Sequence, residues 1–281
     1  MPGIDLHTHS SYSDGTLSPR TLVELAKDRG LDVLALTDHD SIAGIAEARE
    51  AATLAGIELV PGVEFSAEHD GTSIHVLAYW PDEDDAEFQA ELLRLQESRL
   101  HRGERMVEKL RELGYPITFE RIREIAGGRN IVRPHIAQAL VEAGAIQRED
   151  DAYTDAFIGD GGRAYVAKHA LDPVDALAVI KRAGGVCVIA HPGMWRGNDP
   201  VPDELIEKMA VAGMDGIEVD HPDQTPEQRA HYREIANRLG LITTGSTDYH
   251  GERSPDVLPG DETTDPNAFA ELKRRAGKRS G

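Results

Sequence analysis

Short, uninterrupted apolar runs alternate with amphipathic segments of helical period over most of the chain. That alternation is the strongest constraint on its fold. "IDLHTH" (4–9) reads as a strand. "LSPRTLVELAKDRG" follows as a helix, with Ser18 as N-cap, Pro19 in the first turn and Gly30 as stop. "DVLALTDHD" is the next strand and "SIAGIAEAREAATLAG" the next helix, closed by Gly56. "IELVPGVEFSAE" and "TSIHVLAYW" read as two strands paired through a turn at Asp70–Gly71. The rhythm resumes late in the chain: helix "DPVDALAVIKRAGG", strand "VCVIA", helix "PDELIEKMAVAG", strand "DGIEVD", helix "TPEQRAHYREIANRLG" and strand "LITTGST". Apolar strands separated by helices require a parallel sheet covered by helices. At 281 residues a closed or nearly closed barrel is favoured over an open sheet.

Between these halves the pattern changes. Residues 84–113 form one long charged amphipathic helix. Residues 117–170 show short helices, a Gly-rich break at "GDGGR" (159–163) and no buried strand. The expected organisation is an α/β barrel from residues 1–102 and 168–281, with a helical insertion at 103–167 that could act as a lid. The terminal "AGKRSG" is expected to be disordered.

Composition narrows the function. A net charge of −20 disfavours long nucleic acid and anionic membrane, but leaves room for a small anion in a locally cationic pocket. The single cysteine, Cys187, cannot form an intrachain disulfide and is expected to be a buried strand residue. No apolar run approaches the length of a membrane span, and the N-terminus has no basic region followed by an apolar one. The expectation is a cytoplasmic protein.

The histidines fall in a pattern. His7 and His9 end the first strand, and His39 follows "VLALTD". His191 follows "VCVIA" and His250 follows "LITTGSTDY", while His75 lies inside "SIHVLAY". Strand C-termini of a βα barrel converge on one face, where active sites are built. His7 and His9, two apart on a strand, can grip one ion together, and Asp248 and His250 could do the same if extended. Three carboxylates join them: Asp14 in the loop after the first strand, Glu64 after the apolar "LVPGV", and Asp248 in "STDYH". These nine candidate ligands are too many for one ion and suit three divalent ions with a shared carboxylate. Three such ions against three carboxylates leave the site net positive, which suits a phosphate ester. Asp38 is expected to support a ligand from behind, and Asp40 to cap the next helix. His69, His101, His169 and His231 are expected to be surface or loop residues.

The motifs "HTHS", "SDG", "LTDHD", "GVEFS", "IHVLAY", "IAHPG" and "STDYH", in this order across residues 7–250, resemble the PHP (polymerase and histidinol phosphatase) domain family. The resemblance implies a distorted TIM-like (βα)7 barrel with a trinuclear metal centre. By motif, His7, His9, Glu64 and Asp248 would hold one ion. Glu64 would bridge to a second held by His75 and His191, and Asp14, His39 and His250 would hold the third. Some members carry histidine where this chain has Asp14, so its third ion would meet a harder oxygen ligand. The ions would be Mn2+, with Fe2+ or Zn2+ as alternatives. "NIVRPHIAQALVEAG" and "AYVAKH" are similar to stand-alone members acting on nucleotides: 3′,5′-bisphosphate nucleotidases, AMP phosphatases and 5′→3′ exoribonucleases on short RNA. By that resemblance Arg133, His135 and Lys168 would bind substrate phosphate.

The expected chemistry is phosphoester hydrolysis by a metal-activated water held over His7, His9, Glu64 and Asp248. No Ser or Cys nucleophile motif and no G-x-x-x-x-G-K loop are present. The leaving-group proton could come from bound water, His135 or His221, which follows the strand "GIEVD". The expected partner is a small nucleotide or a short 5′-phosphorylated oligonucleotide. A histidinol phosphatase and a non-catalytic metal-binding module are the alternatives.

Overall fold

The computed structural model describes residues 3–127, 131–159, 161–166, 170–193 and 200–279. Among them, seven strands form one sheet in sequential order: β1 (Gly3–Asp5), β2 (Leu31–Leu36), β3 (Glu58–His69), β4 (Thr72–Tyr79), β5 (Val186–Ile189), β6 (Gly216–Asp220) and β7 (Ile242–Gly245). The helices are α1 (Pro19–Asp28), α2 (Ile45–Ala55), α3 (Ala86–Glu112), α4 (Phe119–Ile125), α5 (Arg133–Glu142), α6 (Pro173–Arg182), α7 (Asp203–Val211), α8 (Pro226–Leu239) and α9 (Pro266–Arg279).

All strand pairings are parallel except those of β4, which runs against both β3 and β5. The reversal follows from the two-residue turn at Asp70 (φ 48°) and Gly71 (φ 80°), whose left-handed backbone suits a tight hairpin. The sheet curls until its ends meet. Thr8 bridges Tyr249 in parallel register, and His9 N–H donates to Tyr249 O at 2.9 Å. Lower in the seam, Thr264 fills the gap: its N–H donates to Ile4 O at 2.9 Å and its Oγ1–H to Gly245 O at 2.8 Å. The result is the distorted barrel expected from the strand–helix alternation.

Side-chain alternation sorts the strand residues into two apolar clusters. Val63, Phe65, Cys187, Ile189, Ile217 and Val219 face the outer helices. Ile4, Val33, Val60, Val186, Val188 and Ile242 fill the interior. Cys187 is fully buried, as expected. Ser18 caps α1 by accepting from Thr21 N–H, and Gly30 (φ 80°) and Gly56 (φ 65°) end the first two barrel helices in left-handed turns.

Three expectations need correction. β1 ends at Asp5 and not at His9; His7 to His9 continue beyond the ladder as an extended rim segment. Asp40 does not cap α2, whose N-cap residue is Gly44. Its buried carboxylate instead accepts from Ser66 N–H (2.7 Å), Ser66 Oγ–H (2.8 Å) and Arg99 Nε–H (2.5 Å). The C-terminal stretch expected to be disordered from Ala276 is helical to Arg279. Phe269, Leu272 and Ala276, at helical spacing, pack onto the interior cluster. Lys273 pairs with Glu58 and Arg275 with Asp215, so α9 closes the barrel end where the parallel strands begin.

α3 belongs to two cores. Phe88, Leu92 and Leu95 pack on the barrel. Met106, Val107 and Leu110 pack in a separate cluster with Ile122, Ile136, Leu140 and Ile158 from the following segment.

The C-terminal closure generates a stability prediction. Leu272→Ala, which empties a fully buried site, is expected to cost about 2–5 kcal/mol of folding stability. Urea unfolding followed by circular dichroism measures it.

Candidate metal centre

The barrel end opposite α9 carries the candidate residues. His7 and His9 lie on the rim segment after β1, His39 after β2, His191 after β5, and Asp248 and His250 after β7. Glu64 lies within β3 and bridges His39. Because β4 is reversed, its beginning lies at this same end. Glu64 pairs with Leu77 and Ser66 with His75, which makes His75 a diagonal neighbour of Glu64 on one face. That is how a mid-strand histidine reaches a site otherwise built from strand ends. Asp248 (φ 50°) and His191 (φ 28°) adopt left-handed backbone. Asp248 and His250 therefore reach the centre from a folded loop and not from an extended pair.

Glu64 is the hub. Its Oε2 lies 3.2 Å from His9 Nε2, 3.5 Å from His7 Nε2 and 2.9 Å from His39 Nδ1. Its Oε1 lies 2.6 Å from His75 Nδ1 and 3.1 Å from His191 Nε2. Asp248 Oδ1 stands 3.2 Å and 3.1 Å from the Nε2 atoms of His7 and His9, which are themselves 3.1 Å apart. Asp14 Oδ1 lies 3.3 Å from His250 Nε2 and 3.7 Å from His9 Nδ1, and its Oδ2 lies 3.6 Å from His39 Nε2.

These contacts resolve into three convergent sets: His7, His9, Glu64 and Asp248; His9, Asp14, His39 and His250; and His39, Glu64 and His75. The first matches the expected grouping. His9 and His39 face two sets each, beyond the single ion expected for either, and His191 approaches Glu64 Oε1 alongside His75.

The donor sets fit divalent ions. Ligand atoms about 2.0–2.2 Å from a shared ion stand about 3–3.5 Å apart, which is the spacing seen around Glu64 and Asp248. Asp14 Oδ1, Glu64 Oε2 and Asp248 Oδ1 are buried yet make no hydrogen bond, a costly arrangement for a carboxylate unless a cation meets it. The electrostatics agree. Burial disfavours charge on His7, yet the carboxylates of Asp248, Glu218 and Glu64 outweigh it and hold its pKa well above the usual range. His9 is likewise raised, to about 10, against burial and through Asp248 and Glu64. Burial alone would raise the carboxyls of Asp14, Glu64 and Asp248, but the surrounding imidazoles hold all three well below the ordinary range. A cage that attracts protons this strongly attracts metal cations for the same reason.

A supporting layer surrounds the cage. Glu218 Oε1 accepts from His7 Nδ1–H at 3.0 Å, and its Oε2 accepts from His191 N–H at 2.8 Å. Asp38 accepts from Ser13 Oγ–H at 2.6 Å, and Ser13 Oγ lies 3.3 Å from His9 Nδ1, the support anticipated for Asp38. Asp5, buried and pushed up to about 6 by burial, accepts from Thr247 Oγ1–H and Gly260 N–H, and so ties β1 to the loop bearing Asp248. Glu218, Asp5, Arg99 and Arg253 escape the sequence reading. Only Glu218 leaves a trace there, as a carboxylate inside the apolar run "GIEV".

A cavity of about 1250 Å³ opens over the cage, lined among others by Arg99, Arg102, Arg133, Arg148, Arg253 and His221. Arg133 stands at the start of α5, its guanidinium 5.6 Å from the Tyr153 ring centre. His135 is buried behind it: Val132 N–H donates to its Nδ1 at 3.2 Å, and burial with nearby Arg253 lowers its pKa to about 4. Lys168 lies outside the described residues, as does His169. His69 and His231 pair with surface aspartates, and His101 is exposed.

Fold and site together define a barrel protein with a buried, multi-carboxylate histidine cage under a wide cavity. The chain belongs to the PHP domain family: the PHP domain pattern matches residues 5–149. It is 35% identical over 246 residues to a 5′-3′ exoribonuclease of Haemophilus influenzae, covering 88% of this chain and 89% of that one. It is 34% identical over 260 residues to a 3′,5′-nucleoside bisphosphate phosphatase of Chromobacterium violaceum, covering 92% and 91%. A crystal structure from Bifidobacterium adolescentis, assigned to the metal-dependent phosphoesterases, superposes with a TM-score of 0.91 at 37% identity over 98% of this chain and 96% of that one. Among the described residues no helix is long and apolar enough to cross a membrane.

The supporting layer is open to test. Glu218→Gln leaves one amide nitrogen facing an N–H and removes the charge behind His7. Metal affinity is expected to fall roughly 10–100-fold, read as manganese stoichiometry by mass spectrometry across a metal titration.

Proposed function

We propose that the protein is a metal-dependent phosphoesterase that hydrolyses nucleotide phosphate esters. The favoured substrates are the 3′-phosphate of nucleoside 3′,5′-bisphosphates and 5′-phosphorylated short RNA. One observation carries the reading: the two oxygens of buried Glu64 serve two different imidazole groups, His7, His9 and His39 on one side and His75 and His191 on the other. A carboxylate so placed suits a bridge between ions. Three divalent ions, Mn2+ first and Fe2+ or Zn2+ next, fit the nine donor residues His7, His9, Asp14, His39, Glu64, His75, His191, Asp248 and His250. When bound, such ions supply an activated water and neutralise charge on the phosphoryl oxygens.

The remaining work falls to side chains. Arg133, at the cavity wall, presents a planar donor fork suited to a phosphate group. His135 is held neutral, and its Nδ1 is occupied by a backbone N–H, so it offers Nε2–H as a donor from behind the wall. Lys168 completes the phosphate-binding set by resemblance. Arg253 donates to Asp14 O and to Gln138 Oε1, which fixes the barrel rim to α5 and keeps the cavity wall in place. A short nucleotide suits a chain of net charge −20 better than a long polyanion does, and a cytoplasmic location suits such a substrate. The bisphosphatase and exoribonuclease relatives, each matching about nine-tenths of the chain, favour these substrates over AMP alone or histidinol phosphate. The intact cage argues against a non-catalytic module.

Manganese-loaded protein is expected to release phosphate from adenosine 3′,5′-bisphosphate and mononucleotides from 5′-phosphorylated RNA trimers, with EDTA abolishing both. Turnover of histidinol phosphate alone would overturn the nucleotide assignment. Arg133→Ala is expected to lower kcat/KM about 10–100-fold, the loss of one charged phosphate contact, with metal content unchanged.

A further inference from the structure

The hydrogen bonds behind each imidazole sort the histidines of the site into two kinds. His7 Nδ1 faces Glu218 Oε1 at 3.0 Å, and Glu218 is held ionised, its pKa lowered by His7 despite burial. His250 Nδ1 faces the carbonyl of Asp248 at 2.6 Å. An ionised carboxylate and a carbonyl only accept, so both rings keep a proton on Nδ1, which leaves Nε2 as the nitrogen that would meet an ion in the cage. That is the wiring of a metal ligand.

His221 is wired the opposite way. It follows β6, is 1% exposed and lines the cavity. The backbone N–H of Asp223 donates to its Nδ1 at 3.1 Å. A backbone N–H can only donate, so the neutral ring carries its proton on Nε2. That atom is buried without a hydrogen-bond partner; Asp248 Oδ2, the nearest carboxylate oxygen described for it, stands 3.6 Å away. Like His191, His221 lies outside the three convergent donor sets found among the described residues, and the two ring centres are 5.3 Å apart. What separates them is that His191 Nε2 stands 3.1 Å from Glu64 Oε1, whereas a backbone N–H occupies His221 Nδ1.

The loop that holds it is rigid. Gln224 N–H and Arg229 Nη2–H both donate to His221 O, at 3.0 and 2.6 Å. Gln224 Oε1 accepts from Gly193 N–H at 2.8 Å, and its Nε2–H donates to Val219 O at 2.7 Å. These bonds lock the His221 loop to the segment after His191, so the ring is placed before any ligand arrives.

We propose that His221, through its Nε2–H, is a hydrogen-bond donor to an oxygen of the reacting phosphate ester and not a metal ligand. The inference rests on the phosphoesterase reading for its ligand, but its tautomer stands on the structure alone. As the P–O bond to the leaving alcohol breaks and the attacking water forms the new one, charge grows on the ester oxygens. His221 Nε2–H meets that charge and keeps its own proton. The water's two hydrogens are shared between the alcohol and the phosphate, which balances the step. A fixed donor in a water-poor site stabilises such charge without having to reorganise.

Four readouts test it on the full chain. Long-range 1H–15N NMR of the metal-free protein should show His221 as the Nε2–H tautomer; an Nδ1–H tautomer would overturn the proposal. His221→Ala should keep its manganese stoichiometry and bind inorganic phosphate about 10-fold more weakly when metal-loaded. Its kcat/KM on adenosine 3′,5′-bisphosphate should fall roughly 100-fold, the scale of one lost oxyanion donor. His221→Gln, whose amide N–H reaches the same region, should recover part of both losses. Lost manganese in both variants would make His221 a ligand and refute the idea, as would unchanged phosphate binding in His221→Ala. Should the wild type hydrolyse none of the nucleotide esters yet bind phosphate in a His221-dependent way, the proposed function fails while the donor role stands.

Discussion

A carboxylate buried to 1% exposure inside a protein must be compensated, and Glu64 is the residue around which this chain arranges that compensation. Five imidazoles surround it, drawn from the rim after β1, from the loops after β2 and β5, and from β4. Removing any one of those elements from the barrel end would leave part of the negative charge unmatched. The curl of the sheet, the seam filled by Thr264 and the α9 plug at the far end all hold these elements in register. The stability of the closed barrel and the integrity of the cage are therefore one problem.

The reversed strand is the feature that makes the cage compact. A purely parallel barrel offers only strand C-termini at its mouth. With β4 reversed, a strand N-terminus also opens there, and a residue inside that strand can face a neighbour on β3 across the ladder. His75 uses this route, its Nδ1 2.6 Å from Glu64. The hairpin thus supplies both the hub carboxylate and one of its partners within a single local unit. Their relative placement depends on a two-residue turn and not on long-range packing.

Much of this was legible in the chain. The barrel followed from apolar runs at strand length, and most of the candidate cage residues from their places at or after strand ends, while His75 and Glu64 lie inside strands. Asp38, Cys187 and the capping residues of α1 also read correctly, because each rests on local chemistry. What could not be read was local sequence overruled by distant partners. Asp40 has the look of a helix cap, but Ser66 and Arg99, 26 and 59 residues away, claim its carboxylate. The apolar spacing of Phe269, Leu272 and Ala276 is diluted by the charges between them, so the last turn of the closing helix, from Ala276, passed for a disordered tail. Asp5 and Arg253 act through contacts 242 and 239 residues distant, for which no spacing rule exists.

The two-core helix α3 has a mechanical consequence. Its 27 residues span about 40 Å as one rod. Its first half is cemented into the barrel, while its second half carries the cluster that supports the Arg133 wall. Arg99, midway along, is pinned to Asp40 and Ser66 beside the cage. Such a rod works as a gauge. The distance between the chemistry and the wall that grips the substrate is set by a count of helical turns, so lengthening or shortening α3 would change the size of molecule the site accepts without altering a single group that acts on it.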